Sequence, residues 1–194
     1  MNKLIKGAVA GAAGIALLLG GVGSFALWNG SATTGTGTIR SGTLALASNS
    51  TDAGGTWTNT PYGSSTPSTV SLATFKAVPG DTLTFSKKLD VTAIGDNLKA
   101  TLAVDPSTIV ATDADASRAL RTALLAGMTV AIPSPPTNIT AAGTANTFTV
   151  TGAGTTQTVT VVVTLPFPRG TMGDNTTQTG SVDLSALAFT LQQN

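Results

Sequence analysis

The chain contains no cysteine, no histidine and no glutamate, and only 10% of its 194 residues are charged. Without Cys, no disulfide can staple the fold, so a hydrophobic core must suffice, and neither a thiol nucleophile nor a thiolate metal site can form. Without His, there is no HExxH zinc site, no Ser-His-Asp triad and no Cys-His pair. The charged fraction falls well short of the roughly 25% of ordinary soluble domains. Ten basic residues stand against nine acidic ones, all Asp, which leaves no footprint for nucleic acid. Paired aspartates are the one hydrolytic arrangement left open. Asp113 and Asp115 are close in sequence, but they sit where a helix begins, and capping accounts for them. Asp96, Asp105 and Asp174 lie in turn-like segments. They have oxygens to offer Ca²⁺ but no EF-hand spacing, and forming turns is the ordinary role of such residues. The reading is therefore no enzyme, no cofactor and no metal.

Threonine takes the place of charge. All 36 Thr residues lie beyond position 32. Thr is β-branched, favours strands and tolerates a solvated face, so a Thr-rich, charge-poor chain points to sheets. Hydrophobic residues make up 41% of the chain and recur in alternating runs, unlike a disordered sequence.

The first segment differs from the rest. Lys3 and Lys6 precede an uncharged apolar run, Gly7 to Gly23, and Ser24-Phe25-Ala26 then sets small residues at the −3 and −1 positions of a cleavage site. Seventeen helical residues reach about 25 Å, short of a hydrocarbon core near 30 Å. The segment thus reads as a signal peptide over residues 1–26 in a signal helix, with cleavage between Ala26 and Leu27. An uncleaved anchor is the rival, and Gly30-Ser31-Ala32 is a second possible cleavage site. Removal leaves 168 residues, enough for one domain with a real core. Residues 27–38 then read as a flexible N-terminal segment, and 39–194 as one β domain.

Within that domain, Thr43 to Ala47 alternates as a strand. Asn49 to Pro67 reads as a long loop carrying Trp57 and Tyr62, which either pin the loop or form a binding surface. Val70 to Phe75 is a short strand. Val78-Pro79-Gly80-Asp81 has the chemistry of a type II turn. Leu83, Phe85, Leu89 and Val91 alternate with polar residues, as do Leu98, Ala100, Leu102 and Val104. The Ile94 to Asn97 turn between these runs makes a hairpin or a sheet corner. Asp113 to Ala126 is the one helical segment, capped by Thr112 or Asp113, with Arg118 and Arg121 facing solvent and Gly127 at its end. Strands follow at Met128 to Ile132, Thr147 to Thr151 and Thr156 to Leu165. Val182 to Leu191, apolar on both faces, reads as a central strand. The sum is an all-β, jelly-roll-like sandwich with one short crossover helix.

Three segments together resemble one family. Phe25-Ala26-Leu27-Trp28-Asn29 follows the signal, Ser41 to Leu46 comes next, and Val78-Pro79-Gly80-Asp81-Thr82-Leu83 opens the following strand. Their order and spacing are similar to the TasA/camelysin group of exported proteins of Gram-positive bacteria. The resemblance covers roughly Met1 to Val104 and the final strand. It implies processing by a SipW-type signal peptidase, a jelly-roll domain, and contact with the membrane only during export. In the TasA branch it also implies a fibre subunit of the biofilm matrix, secreted or held at the cell surface, that associates with itself or with related matrix subunits. There the mature N-terminal segment adds as a strand to the next subunit, a role that falls here on Leu27, Trp28, Asn29 and the residues up to Ile39. The camelysin branch's metalloprotease assignment does not transfer to a chain without His. The alternative is a monomeric extracellular binding module that uses Trp57 and Tyr62 for a glycan or a surface partner.

The cleavage reading predicts that N-terminal sequencing of the exported form begins at Leu27. A start at Thr33 would move processing to the second site, and an intact Met1 would indicate an anchor.

Overall fold

A computed structural model describes residues 39–170 and 174–194. The signal residues Ser24 and Ala26 and the segment 27–38 with Leu27, Trp28 and Asn29 lie outside the described residues. Arg40–Asn194 form one compact unit.

Strand parity builds the architecture. β4 (Thr82–Ile94) turns Leu83, Phe85, Leu89, Val91 and Ala93 to one face, all buried. β10 (Thr156–Pro166) does the same with Val159, Val161, Val163 and Leu165. Directly opposed residues share a face, and the two strands pair antiparallel from Thr82↔Pro166 to Thr92↔Thr156, so the apolar rows coincide. Each such side chain taken fully out of water contributes about 1.5–3 kcal/mol. This pair is the spine of a six-stranded antiparallel sheet. β7 (Thr129–Ala131) continues it beside β10, while β1 (Thr43–Ser48) and β2 (Thr56–Thr60) lie end to end along the other side of β4, with β3 (Ser68–Thr69) outside β2. A four-stranded sheet in the order β12 (Ala188–Gln193), β5 (Lys99–Asp105), β9 (Thr147–Thr151), β8 (Ile139–Ala141) supplies the facing layer. Its inner row includes Ala100, Leu102, Val104, Phe148, Val150 and Ile139. Phe85 meets Phe189 of the opposite sheet at 6.3 Å between ring centroids. The protein is thus an all-β, jelly-roll-like sandwich. A short ladder of β6 (Val110–Ala111) with β11 (Val182–Asp183), and the helix α1 (Asp115–Ala126), complete it.

The Val78 to Asp81 turn forms as its residues dictate. Gly80 has φ +103°, and the Asp81 N–H donates to the Val78 carbonyl at 3.0 Å. Asp81 is buried, and its Oδ2 accepts from the Val78 N–H at 3.0 Å, closing the turn from its own side chain. The Ile94 to Asn97 segment is a sheet corner, because β4 and β5 belong to different sheets. The return crossing from β9 to β10 packs against it, and Gly152 donates its N–H to Leu98 at 3.2 Å. A Cβ at Gly152 would lie 2.1 Å from the Gly95 carbonyl oxygen, so only glycine lets the two crossings meet.

Several expectations are corrected. The 49–67 segment is not all loop: Thr56–Thr60 pairs with β4 as β2, its strand nature hidden because Thr-Trp-Thr-Asn-Thr places Asn59 at a core position. Asn59 Oδ1 is buried without a hydrogen-bond partner. Val70 to Phe75 is not a strand. It closes into a single turn in which the N–H groups of Thr74 and Phe75 both donate to the Ser71 carbonyl. The helix begins at Asp115, and its N-cap is Ala114 with no side-chain cap. The Thr112 hydroxyl goes instead to Ser117 Oγ at 2.7 Å. Arg121 does not simply face solvent, since its Nε donates to the Ile109 carbonyl at 2.5 Å. Val182 to Leu191 is not one central strand. It breaks into β11 and β12, and β12 is an edge; its apolar residues serve two separate ladders.

Gly152→Ala is expected to cost about 1–3 kcal/mol, because the obstructing atom is backbone and cannot swing away. Gly54→Ala, where a Cβ meets nothing within 4 Å, should stay within about 0.5 kcal/mol. Urea unfolding of the two variants checks the contrast.

Candidate functional site

Two features of the surface bear on function: the sheet edges and a groove between the sheets. β1 (TLALAS) pairs only with β4, and its outer side has no strand partner among the described residues. β12 (AFTLQQ) ends the smaller sheet. β10 is paired along its whole length with β4, but β7 covers only Val162 to Thr164 of its second side. Among the described residues, 156–161 (TQTVTV) are therefore half-paired, although Val159 and Val161 face the deepest part of the core.

Charge is distributed against expectation. Proteins usually guard free edges with Lys or another charge, with Pro, or with a bulge. Here β1, β12 and the 156–161 stretch carry none of these charges and no Pro. Of the charged strand residues, Asp90 is on β4 between β1 and β10, Lys99 and Asp105 are on β5 between β12 and β9, Lys87 and Lys88 are on β4 at the break between β1 and β2, and Asp183 is on β11.

Lys87, Lys88 and Asp90 have visible work. Between β1 and β2 the chain leaves the sheet at 49–55 and is tied back to β4. The Asn49 N–H donates to the Lys88 carbonyl, the Lys88 N–H to Asp52 Oδ2 at 2.7 Å, and Lys87 Nζ to the Ala53 carbonyl at 2.6 Å. Asp90 accepts from the Thr158 hydroxyl at 2.7 Å and from Asn49 Nδ2 at 2.9 Å, which holds its carboxyl below the ordinary aspartate range. Asp105, Asp174 and Asp183 are likewise lowered, by Ser107, Thr176 and Ser185 in their own turns. Asp105 and Asp174 are thus turn-forming residues. Among the described residues no three metal-ligating side chains come together, and no helix is long and apolar enough to cross a membrane.

Of the sequence-read site residues, Ile39 is fully exposed. Trp57 and Tyr62 are not brought into one surface. Trp57 stacks on Phe85 at 4.8 Å and lines the groove, whereas Tyr62 is 67% exposed beside the Pro79-Gly80 turn with the Arg169 guanidinium 4.1 Å over its ring. The groove, about 760 Å³, opens between the β1–β2 break and the Leu184 to Phe189 segment. Sequence reading missed it because it depends on Lys87, which occupies a core-facing position that the alternation of its neighbours passes over. Comparison with protein-family models, curated proteins and solved structures finds no match.

The depressed carboxylates set a pH window. A group whose folded pKa is lowered contributes stability above its unfolded value, about 3.9, and loses it as pH falls through the folded value. The chain has no His to titrate near neutrality. Stability should therefore be nearly flat from about pH 5 to 8 and fall below about pH 4. Asn49→Ala should raise the Asp90 midpoint in a carboxyl NMR titration, and an unmoved midpoint would refute the pairing.

Proposed function

We propose that this chain is an exported structural protein of the cell surface or extracellular matrix, a subunit that assembles by strand addition once its signal is removed. The observation that carries this reading is the set of uncharged, unpaired edges, above all the half-paired stretch 156–161 of β10. An added strand there satisfies the remaining backbone groups, and its alternate side chains set the register. The segment 27–38, which precedes β1 in the sequence, is the proposed donor. Donation from one subunit to the next is head-to-tail, which leads to an open filament where the rotation between subunits does not close a ring. The resemblance of the signal end and of the Pro79-Gly80-Asp81 turn to the TasA/camelysin group supports the same reading, including a SipW-type peptidase as the processing partner.

The near absence of charge supports it too, because little repulsion opposes the close approach of identical subunits. Without His, Cys or Glu, aspartates are the only carboxylate side chains left for an enzyme to use, and no imidazole or thiol is present to activate or replace a hydroxyl nucleophile. The binding-module alternative is weakened because Trp57 is held in the Phe85 stack.

The expected outcome is that protein cleaved after Ala26 grows into filaments with concentration, while the same protein lacking Leu27 to Thr38 stays monomeric in analytical ultracentrifugation. The chain has no cysteine of its own, so Trp28→Cys combined with Thr160→Cys should yield disulfide-linked ladders rather than closed monomers. Cleaved wild-type protein that remains monomeric at millimolar concentration would sink the proposal.

A further inference from the structure

The groove between the sheets has a composition that strand pairing does not explain. Its walls are mixed: apolar side chains come from both layers, with Leu46, Trp57 and Phe85 on one side and Leu187 and Phe189 on the other, and hydroxyl-bearing residues stand among them. Its volume of about 760 Å³ falls in the range of small-molecule clefts, about 300–1,000 Å³. One formal charge lines it, Lys87, and no acidic residue does. Lys87 stands in the core-facing row of β4, between Phe85 and Leu89 and directly opposite Val161, which is 1% exposed. Every other member of that row from Leu83 to Ala93 is a buried hydrophobe. A lysine there forgoes the burial that a Leu or Val would gain. Its stem lies along the groove, and its ammonium reaches the Ala53 carbonyl with one of three N–H donors, leaving two free.

We infer that this groove binds an amphipathic carboxylate, a long-chain fatty acid or an acyl chain ending in a carboxylate, with the tail between the sheets and the head on Lys87. The charge selects the head, because a single cation at the edge of an apolar cleft favours an anion over a neutral or cationic group of equal length. The walls select the tail, because each layer contributes hydrocarbon or aromatic side chains, and the hydroxyl-bearing residues Ser48, Thr56, Thr69, Ser71 and Ser185 add no charge. The groove shares residues with β1 and β12 but none with the 156–161 stretch of β10 on which the assembly proposal chiefly rests, so the two are tested separately.

Gly54 provides the means of blocking it. It lines the groove, has no left-handed φ, and a Cβ there would meet nothing within 4 Å, so Gly54→Leu is the substitution chosen to fill the mouth. In a Trp28→Phe background, Trp57 is the only tryptophan and reports on occupancy. Titration of that full chain with dodecanoate and with dodecanol, both below micelle formation, should show saturable one-to-one binding. Dodecanoate should bind about tenfold or more tighter than the alcohol, the strength of a charge-assisted hydrogen bond. Lys87→Met should abolish that preference, Lys87→Arg should keep it, and Gly54→Leu should remove binding of both with an unchanged circular dichroism spectrum. If Lys87 serves only to anchor the 49–55 segment, Lys87→Met lowers stability and leaves the preference intact, which would overturn the inference. Equal affinity for acid and alcohol in the unsubstituted groove would overturn it as well. So would a Gly54→Leu variant that loses self-association although the unblocked protein never bound dodecanoate, since the groove would then belong to a second copy of the chain.

Discussion

The rest of the structure depends on one interaction, the antiparallel ladder between β4 and β10. It runs for eleven residue pairs without a break, and both strands keep their parity throughout. That length matters because the chain has no disulfide and few ion pairs to fall back on; among the described residues the one salt bridge, Arg118 with Asp115, is exposed and lies within a single helix. Exposed pairs of that kind contribute little. Cohesion therefore falls to the apolar rows that the ladder aligns, and β1, β2 and β7 are placed by pairing onto its two strands.

Threonine is what makes this ladder possible in a charge-poor protein. On the outer face of β4 and β10, hydroxyls do the work that charges do elsewhere. Thr92 and Thr156 share a hydrogen bond of 2.7 Å across the strands, and Thr158 reaches Asp90. These contacts are short and local and need no counter-ion, so the solvated face stays neutral. The cost of that neutrality appears at the edges, where nothing repels a further strand.

How much of this was legible follows from where the physics is local. The long alternating runs in β4, β5 and β10 could be read directly, because a period of two over many residues has one interpretation. The Pro79-Gly80 turn could be read for the same reason: its dihedral requirements are met by its own residues. What failed depended on partners distant in sequence. β2 is a strand because β4 is beside it, and Asn59 is buried because Leu83 lies opposite, neither of which its five residues announce. Ile139 and Ile109 are almost wholly buried, yet Ile139 sits in a three-residue strand too short for any pattern and Ile109 lies just outside β6, in no element at all. β12 looked central because it is apolar on both faces, but an edge beside a groove also has two faces to cover. Of the candidate site, the apolar and aromatic parts were visible and the cation was not, since a lysine in a strand is ordinarily taken to point outward.

The edges and the groove share a physical origin. β1 and β2 would form one continuous strand along β4 if the chain did not leave the sheet at 49–55, and opposite that gap stand Lys87 and Lys88. The gap deprives β4 of partners for two residues and opens the sandwich interior to solvent, which creates the groove. A fold seeking only stability would close it with two more paired residues and a hydrophobe at 87. Instead the chain uses three hydrogen bonds, among Asn49, Asp52, Ala53, Lys87 and Lys88, to hold the gap in a fixed shape. A sheet so economical with charge elsewhere places two adjacent lysines at the one position where the row formed by β1 and β2 beside β4 is interrupted. The interruption is therefore built into the fold, and it is the place where the sequence departs most clearly from what packing alone would select.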